Sequence, residues 1–179
     1  MTLSLKFFRH SLSVASVIAV LFVSLCADNA YAIGKGEKSL GFRAGYTSSN
    51  QSAVAGMYFQ YAFSRHFRLS PDVDYSFRHN GNDALSINLN AHVPFGLSAD
   101  RFAIYPLAGL NYTSWNIHEI KDIEDNNDAK NRVDRLGMNV GAGIEYYAKP
   151  SLKLAFEGKY RWTKDYDSGV FTVSIGYIF

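Results

Sequence analysis

Acidic side chains are the first candidates for chemistry in this chain. Asp122, Glu124, Asp125 and Asp128 read Asp-x-Glu-Asp-x-x-Asp, and oxygen ligands at such short spacing suit a hard cation such as calcium. The glycine and closing glutamate of an EF-hand loop are missing. Glu119 and Asp134 extend the acidity without adding a pattern, so a solvated surface loop is expected and no metal site is assigned. His66 and His79 fall in connections, and His118 falls in the same polar stretch. Ser86, Asn88, Asn90 and His92 alternate along one strand and share a face. A hydroxyl and an imidazole could act as nucleophile and base, but no carboxylate on that strand orients the imidazole. A structural, hydrogen-bonded His92 is expected, and no catalytic residue is assigned. Gly141-x-Gly143 precedes no helix, which excludes a dinucleotide loop. One cysteine excludes an internal disulfide and a cysteine zinc site. The basic residues form no nucleic-acid patch, and no cofactor is expected.

The remaining charges carry a different message. Arg43, Arg68, Asp72, Asp74, Arg78, Glu145, Lys153, Glu157, Lys159 and Arg161 sit at alternate positions among apolar residues. A period of two means strands. Eight strands are expected, within residues 40–46, 55–64, 67–78, 85–95, 102–115, 136–146, 152–162 and 170–179. The fourth is the cleanest: Leu85, Ile87, Leu89, Ala91, Val93 and Phe95 alternate with Ser86, Asn88, Asn90 and His92. The fifth has two apolar faces and Pro106, and Ile104, Ala108, Leu110 and Tyr112 are assigned to its apolar side. Short turns are expected at 64–66, 96–101 and 148–151. Longer or polar connections are expected at 47–53, 79–83, 116–134 and 164–169.

The ends of the chain are distinctive. Lys6, Arg9 and His10 precede an apolar run from Leu12 to Leu25, and Ala30-Tyr31-Ala32 follows. That order fits a signal peptide spanning 1–32, with the mature chain starting at Ile33. A lipoprotein signal using Cys26 is the rival, weakened by the bulky Leu25 before it. Without Lys6, Arg9 and Asp28 the chain holds 16 basic and 15 acidic residues, so charge alone selects no polyanionic or polycationic partner. At the other end, Phe171, Val173, Ile175, Tyr177 and Phe179 line one face of a strand that stops on an aromatic residue. An exposed apolar edge of this kind recruits other chains unless it is paired.

Alternation alone does not say which face is inside. Three features favour a polar interior and an apolar exterior. Aromatics collect near strand ends on the apolar face: Phe42, Tyr46, Phe63, Phe67, Phe77, Phe95, Tyr112, Tyr146, Trp162, Tyr177 and Phe179. Such girdles mark the two membrane interfaces of a barrel. The polar face holds Gly41, Gly45, Gly56, Gly137, Gly141 and Gly143, which suits a crowded interior and serves no purpose in water. The leader sends the chain across the inner membrane. Eight strands leave an interior filled by side chains, and charges survive there only when paired. An ion-paired, closed lumen is therefore expected, built from the charges named above.

The chain resembles the small eight-stranded outer-membrane proteins of the OmpA-transmembrane-domain and OmpX kind. The residues that carry the resemblance are the Gly-rich strand Gly137-Met138-Asn139-Val140-Gly141-Ala142-Gly143-Ile144-Glu145-Tyr146-Tyr147 and the terminal Tyr177-x-Phe179. The resemblance implies an all-β, up-and-down antiparallel barrel over 33–179, reaching the bacterial outer membrane by Sec-dependent export. It implies an assembly signal in Phe171, Tyr177 and Phe179, read by the barrel assembly machinery. The implied surroundings are outer-membrane lipid and lipopolysaccharide, and the implied state is a monomer. It carries no peptidoglycan-binding domain with it. The expected function is non-catalytic: surface interaction, adhesion or envelope integrity, with 116–134 as the surface that meets an external ligand or host. Two alternatives stand beside it, an outer-membrane barrel enzyme acting on lipids and a secreted soluble barrel holding an apolar ligand.

Overall fold

The computed structural model describes residues 34–49, 51–79, 82–97, 101–117, 131–163 and 167–179. The expected leader, the start at Ile33 and the acidic run from Asp122 to Asp128 lie outside the described residues. Eight long strands carry the fold: β1 (Lys38–Thr47), β2 (Ser52–Ser64), β3 (Phe67–His79), β4 (Asn82–His92), β5 (Phe102–Ile117), β6 (Asn131–Lys149), β7 (Leu152–Thr163) and β8 (Ser168–Ile178). All eight meet or exceed the roughly 9–11 residues that a tilted strand needs to cross a bilayer. Among the described residues there is no helix.

Each strand pairs antiparallel with the next, and β8 returns to β1. The closing register runs from Ser39 opposite Ile178 to Thr47 opposite Val170. Phe179 adds one further bond, from its N–H to the Lys38 carbonyl at 2.9 Å. The apolar terminal strand thus finds its partner, and the sheet has no free edge around its girth. A closed ladder satisfies the backbone polar groups internally, the condition for spanning lipid with strands.

The inside and outside are inverted relative to a water-soluble protein. Arg68, Asp72, Asp74, Asn88, Asn90, His92, Asn139, Glu145 and Lys153 are buried within the barrel. Phe42, Met57, Ile87, Leu110, Phe156, Val173 and Tyr177 are exposed on its outer wall. An apolar surface wrapped around the whole wall far exceeds what a soluble monomer tolerates. A soluble barrel with an apolar interior needs the opposite arrangement, so that alternative is overturned.

The fifth strand follows the preferred register: Ala108, Leu110 and Tyr112 are exposed, whereas Tyr105, Leu107, Asn111 and Thr113 are buried. Three expectations need correction. First, 116–134 is not one loop, because the ladder continues to Asn116 opposite Arg132 and Ile117 opposite Asn131. The residues between these strands are 118–130, and two other connections, 48–51 and 80–81, are shorter in sequence than the expected 47–53 and 79–83. Backbone pairing extends here through polar residues that carry no alternating apolar signal. Second, Phe95 is not an outer girdle residue, being 9% exposed. Pro94 lacks an N–H and interrupts the strand, which resumes only as Phe95–Gly96 opposite Ile104 and Ala103. Third, Arg78 is exposed, near the end of β3. The charge alternation runs on past the enclosed lumen, so its parity does not put it inside.

Both described ends, Gly34 and Phe179, lie at the same end of the barrel as Arg65, His66, Leu97, Arg101, Pro150 and Ser151. This is called the terminal end below, and the opposite one the loop end.

Candidate functional site

The lumen holds the densest chemistry of the molecule. Near the terminal end, Arg68 of β3 grips Glu145 of β6 with two bonds, Nη1 to Oε2 at 3.0 Å and Nη2 to Oε1 at 2.8 Å. A planar guanidinium matches a carboxylate in this paired way. Tyr147 donates its hydroxyl to Glu145 Oε2 at 3.1 Å, and Lys153 Nζ lies 3.7 Å from Oε1. Lys153 also donates to Gln60 and lies 4.0 Å from Glu37. Glu37 stands in the lead-in before β1, where burial pushes its carboxyl above the usual range while Lys153 opposes that push.

A second cluster occupies the middle of the lumen. Arg43 of β1 binds Asp74 of β3 through Nε to Oδ1 and Nη2 to Oδ2, both at 2.6 Å, and also contacts Asp72. Asn90 donates to Asp72 at 2.8 Å, and Asn88 donates to the same carboxylate. Asn139 reaches across from β6 to the side-chain carbonyls of Asn88 and Asn90 at 2.9 and 3.0 Å. Lys159 Nζ lies 3.6 Å from Glu157 and 3.8 Å from Asp74. Arg161, closer to the loop end, donates to the Ser86 hydroxyl at 3.0 Å rather than to a carboxylate.

Tyr105 joins the two clusters. Its hydroxyl donates to Glu157 at 3.0 Å, and its ring stacks on His92 with centroids 4.6 Å apart. The ring has room because Gly143 lies beneath it: a methyl group built at Gly143 overlaps the Tyr105 ring. Tyr58 lies over Gly41 and Gly176 in the same way. These lumen glycines provide floor space for tyrosine rings. The residual cavity between Arg43, Tyr58, Tyr105 and Glu157 is ≈ 10 Å³, about the space of one water.

The expected lumen charges Arg43, Asp72, Asp74, Glu145, Lys153, Glu157, Lys159 and Arg161 are all buried in the barrel, with Arg78 left outside as described. Phe171, Tyr177 and Phe179 line the exposed outer face at and beyond β8. Sequence reasoning missed Gln60, Tyr105 and Tyr147 as lumen partners. The available signal was parity: each shares the inward phase of its strand, and Tyr105 stands opposite Gly143 in the ladder.

The histidine environment bears on catalysis. Arg68 Nη2 lies 3.1 Å from His92 Nδ1. A guanidinium has no acceptor, so it donates and the imidazole nitrogen accepts. Ser86 bonds instead to Thr113 and Arg161, and six residues of strand put it about 20 Å from His92. The two do not form a nucleophile–base pair. Among the described residues, no group of three or more His, Cys, Asp or Glu side chains is placed to hold a metal.

A closed sheet with a charged interior and an apolar wall narrows the classes of protein to one. The sequence pattern of the outer membrane protein beta-barrel domain matches residues 15–179. The chain belongs to that family. Its membership places it in the bacterial outer membrane, and the match begins within the expected leader. Solved barrels share the fold at low identity. The N-terminal barrel domain of Pseudomonas aeruginosa OprF aligns with a TM-score of 0.67 at 18% identity, covering 82% of this chain and 100% of that one. Neisserial surface protein A aligns at 0.64 and 14% identity, over 80% and 96% of the two chains. The Yersinia pestis attachment invasion locus protein, Ail, aligns at 0.58 and 15% identity, over 82% and 100%. A comparison with curated proteins finds no match.

Proposed function

We propose that this family member is a non-catalytic, non-conducting barrel that works through its surfaces. The terminal end faces the periplasm and the loop end faces outward, with 118–130 as the main contact surface for an external ligand or host. The observation that supports this reading is the set of cross-barrel bonds among buried lumen side chains, which leave ≈ 10 Å³ beside Tyr105 and Arg43. A blocked interior leaves the ends and the wall to do the work, and loops vary freely on a rigid scaffold. Two of the similar barrels carry surface roles in their names, a surface protein and an attachment invasion protein. Ail has also been seen with a heparin analogue, sucrose octasulfate. Export by the Sec route, a monomeric state, contact with lipopolysaccharide and recognition of Phe171, Tyr177 and Phe179 by the assembly machinery belong to the same proposal.

One experiment with two readouts tests it. The purified chain in a planar bilayer is expected to give no stable conductance. Cells carrying the barrel with 118–130 replaced by Asn-Gly, a residue pair suited to a tight hairpin, are expected to keep the folded barrel and lose surface contact. Stable channels, or unchanged contact after the replacement, overturn the proposal.

A further inference from the structure

The two ends of the barrel differ in charge. At the terminal end every connection presents an exposed cation. Lys35 and Lys38 stand at the start of β1, Arg65 lies in the β2–β3 turn, Arg101 precedes β5 and Lys149 closes β6, and all five side chains are exposed. The backbone holds them in place. Gly36 N–H bonds to the Ala62 carbonyl at 2.8 Å and Ala62 N–H to the Glu37 carbonyl at 2.9 Å, which pins the lead-in to the end of β2. Tyr147 N–H bonds to the Arg101 carbonyl at 2.8 Å, which holds Arg101 beside the end of β6.

Little opposes this charge. The acidic side chain described among these connections is Glu37, which is half-buried and turned toward Lys153. Asp100 lies outside the described residues. The loop end is different: Arg78, Arg132 and Arg135 are matched by Asp83, Asp134 and Asp167. The sequence from 118 to 130 then adds Glu119, Asp122, Glu124, Asp125 and Asp128 against Lys121 and Lys130.

The cations also sit at a defined depth. Just beyond them the outer wall carries Phe63, Phe67, Phe102, Tyr177 and Phe179, all exposed. Aromatic side chains of this kind mark the boundary between hydrocarbon and headgroups. The cations therefore lie at phosphate level of the leaflet that this end meets. They are spread around the girth, at three turns and at the β1–β8 seam, so they form a ring facing the surrounding lipids rather than one pocket.

We propose that the terminal-end ring of Lys38, Arg65, Arg101 and Lys149 binds the phosphate headgroups of anionic phospholipids and enriches them around the barrel. The proposal needs the barrel to span a bilayer, but it does not depend on what the loop end contacts. A basic residue near an anionic membrane surface contributes about fivefold in association.

The test uses the full chain refolded into phosphatidylcholine vesicles with trace spin-labelled lipid. The motionally restricted fraction of spin-labelled phosphatidylglycerol is compared with that of spin-labelled phosphatidylcholine. The expected result is a several-fold preference for phosphatidylglycerol. The preference should collapse toward unity in 1 M salt, where screening acts within about 3 Å. It should also fall in the R65Q/R101Q/K149Q variant, and in K149Q alone to a smaller extent. Equal restriction of both lipids by the unaltered protein overturns the proposal, with no variant needed. So does a preference that survives R65Q/R101Q/K149Q in barrels of normal heat-modifiable mobility, or one that is lost instead in R78Q/R132Q at the loop end.

Discussion

Glu145→Gln removes one charge from the lumen and almost no volume. The Glu145 carboxylate is 1% exposed. It accepts Arg68 at 2.8 and 3.0 Å and Tyr147 at 3.1 Å, and it faces Lys153 at 3.7 Å. After the substitution two cations share the site with a neutral amide. Breaking a buried ion pair from one side costs about 3–5 kcal/mol, because the partner charge stays buried without compensation. The lower end, about 3 kcal/mol, is expected here: the amide carbonyl still accepts one bond from Arg68, and Glu37 remains 4.0 Å from Lys153. Removing both charges, as Arg68→Met with Glu145→Leu, is expected to cost less than the single change, since no unpaired guanidinium remains. The assay is reversible denaturant unfolding in phospholipid vesicles, followed by the fluorescence of Trp162 on the outer wall, with heat-modifiable mobility as a check on closure. The reasoning is refuted if Glu145→Gln unfolds within about 1 kcal/mol of the parent, or if the double variant loses as much as the single one.

Two further perturbations probe other parts of the barrel. Gly143→Ala places a methyl group against the Tyr105 ring and is expected to cost about 1–3 kcal/mol by overpacking. The same change in a Tyr105→Leu background should cost less, and equal costs in a double-mutant unfolding cycle would remove the Tyr–Gly contact as the cause. Deleting Phe179 takes away the bond to Lys38 at 2.9 Å and one exposed aromatic ring. The unfolding midpoint of refolded barrel should hardly move, whereas the amount inserted in cells should drop; unchanged insertion would refute the assembly-signal role.

How much of this was legible in the sequence depended on the force at work in each segment. Where lipid and lumen press on opposite faces, as along Leu85 to His92, a period of two follows directly and both faces can be assigned. Beyond the membrane that pressure disappears. Arg132 and Asp134 join β6 through the backbone ladder and through polar side-chain bonds, Arg132 donating to Ser114 at 2.7 Å and to Asp134 at 3.1 Å, so their sequence resembles a loop. Arg78 keeps the inward phase of β3 but sits past the enclosed space. Tyr105 and Leu107 reverse the usual logic, since apolar side chains can fill a lumen when a glycine or a ring lies opposite. The partners of the lumen charges were the least legible part. Arg43 could have met any of several carboxylates; the registers place it in one row with Gly56 and Asp74, so it reaches Asp74 across the glycine, whereas only the curl of the closed sheet brings Glu145 to Arg68.

That curl gives the lumen bonds a consequence for how the barrel forms. Arg43 and Asp74 lie on β1 and β3, Arg68 and Glu145 on β3 and β6, and Tyr105 and Glu157 on β5 and β7. Lys153 reaches from β7 to Gln60 on β2, and Asn139 from β6 to Asn88 on β4. None of these links joins neighbouring strands, so no isolated hairpin contains one. Arg43–Asp74 and Tyr105–Glu157 each cross one intervening glycine, so three consecutive strands can hold them, but a flat or half-curled sheet would leave the Arg68 guanidinium without Glu145, at a cost of several kcal/mol. The two long chords, Arg68–Glu145 and Lys153–Gln60, therefore reward the last stage of assembly, when the sheet has rolled far enough for both to span it. Partly rolled sheets are penalised by the same residues that hold the finished barrel, so closure is cooperative. A strand slipped by one position would turn its charges toward lipid, and the network serves as a proofreading device for register.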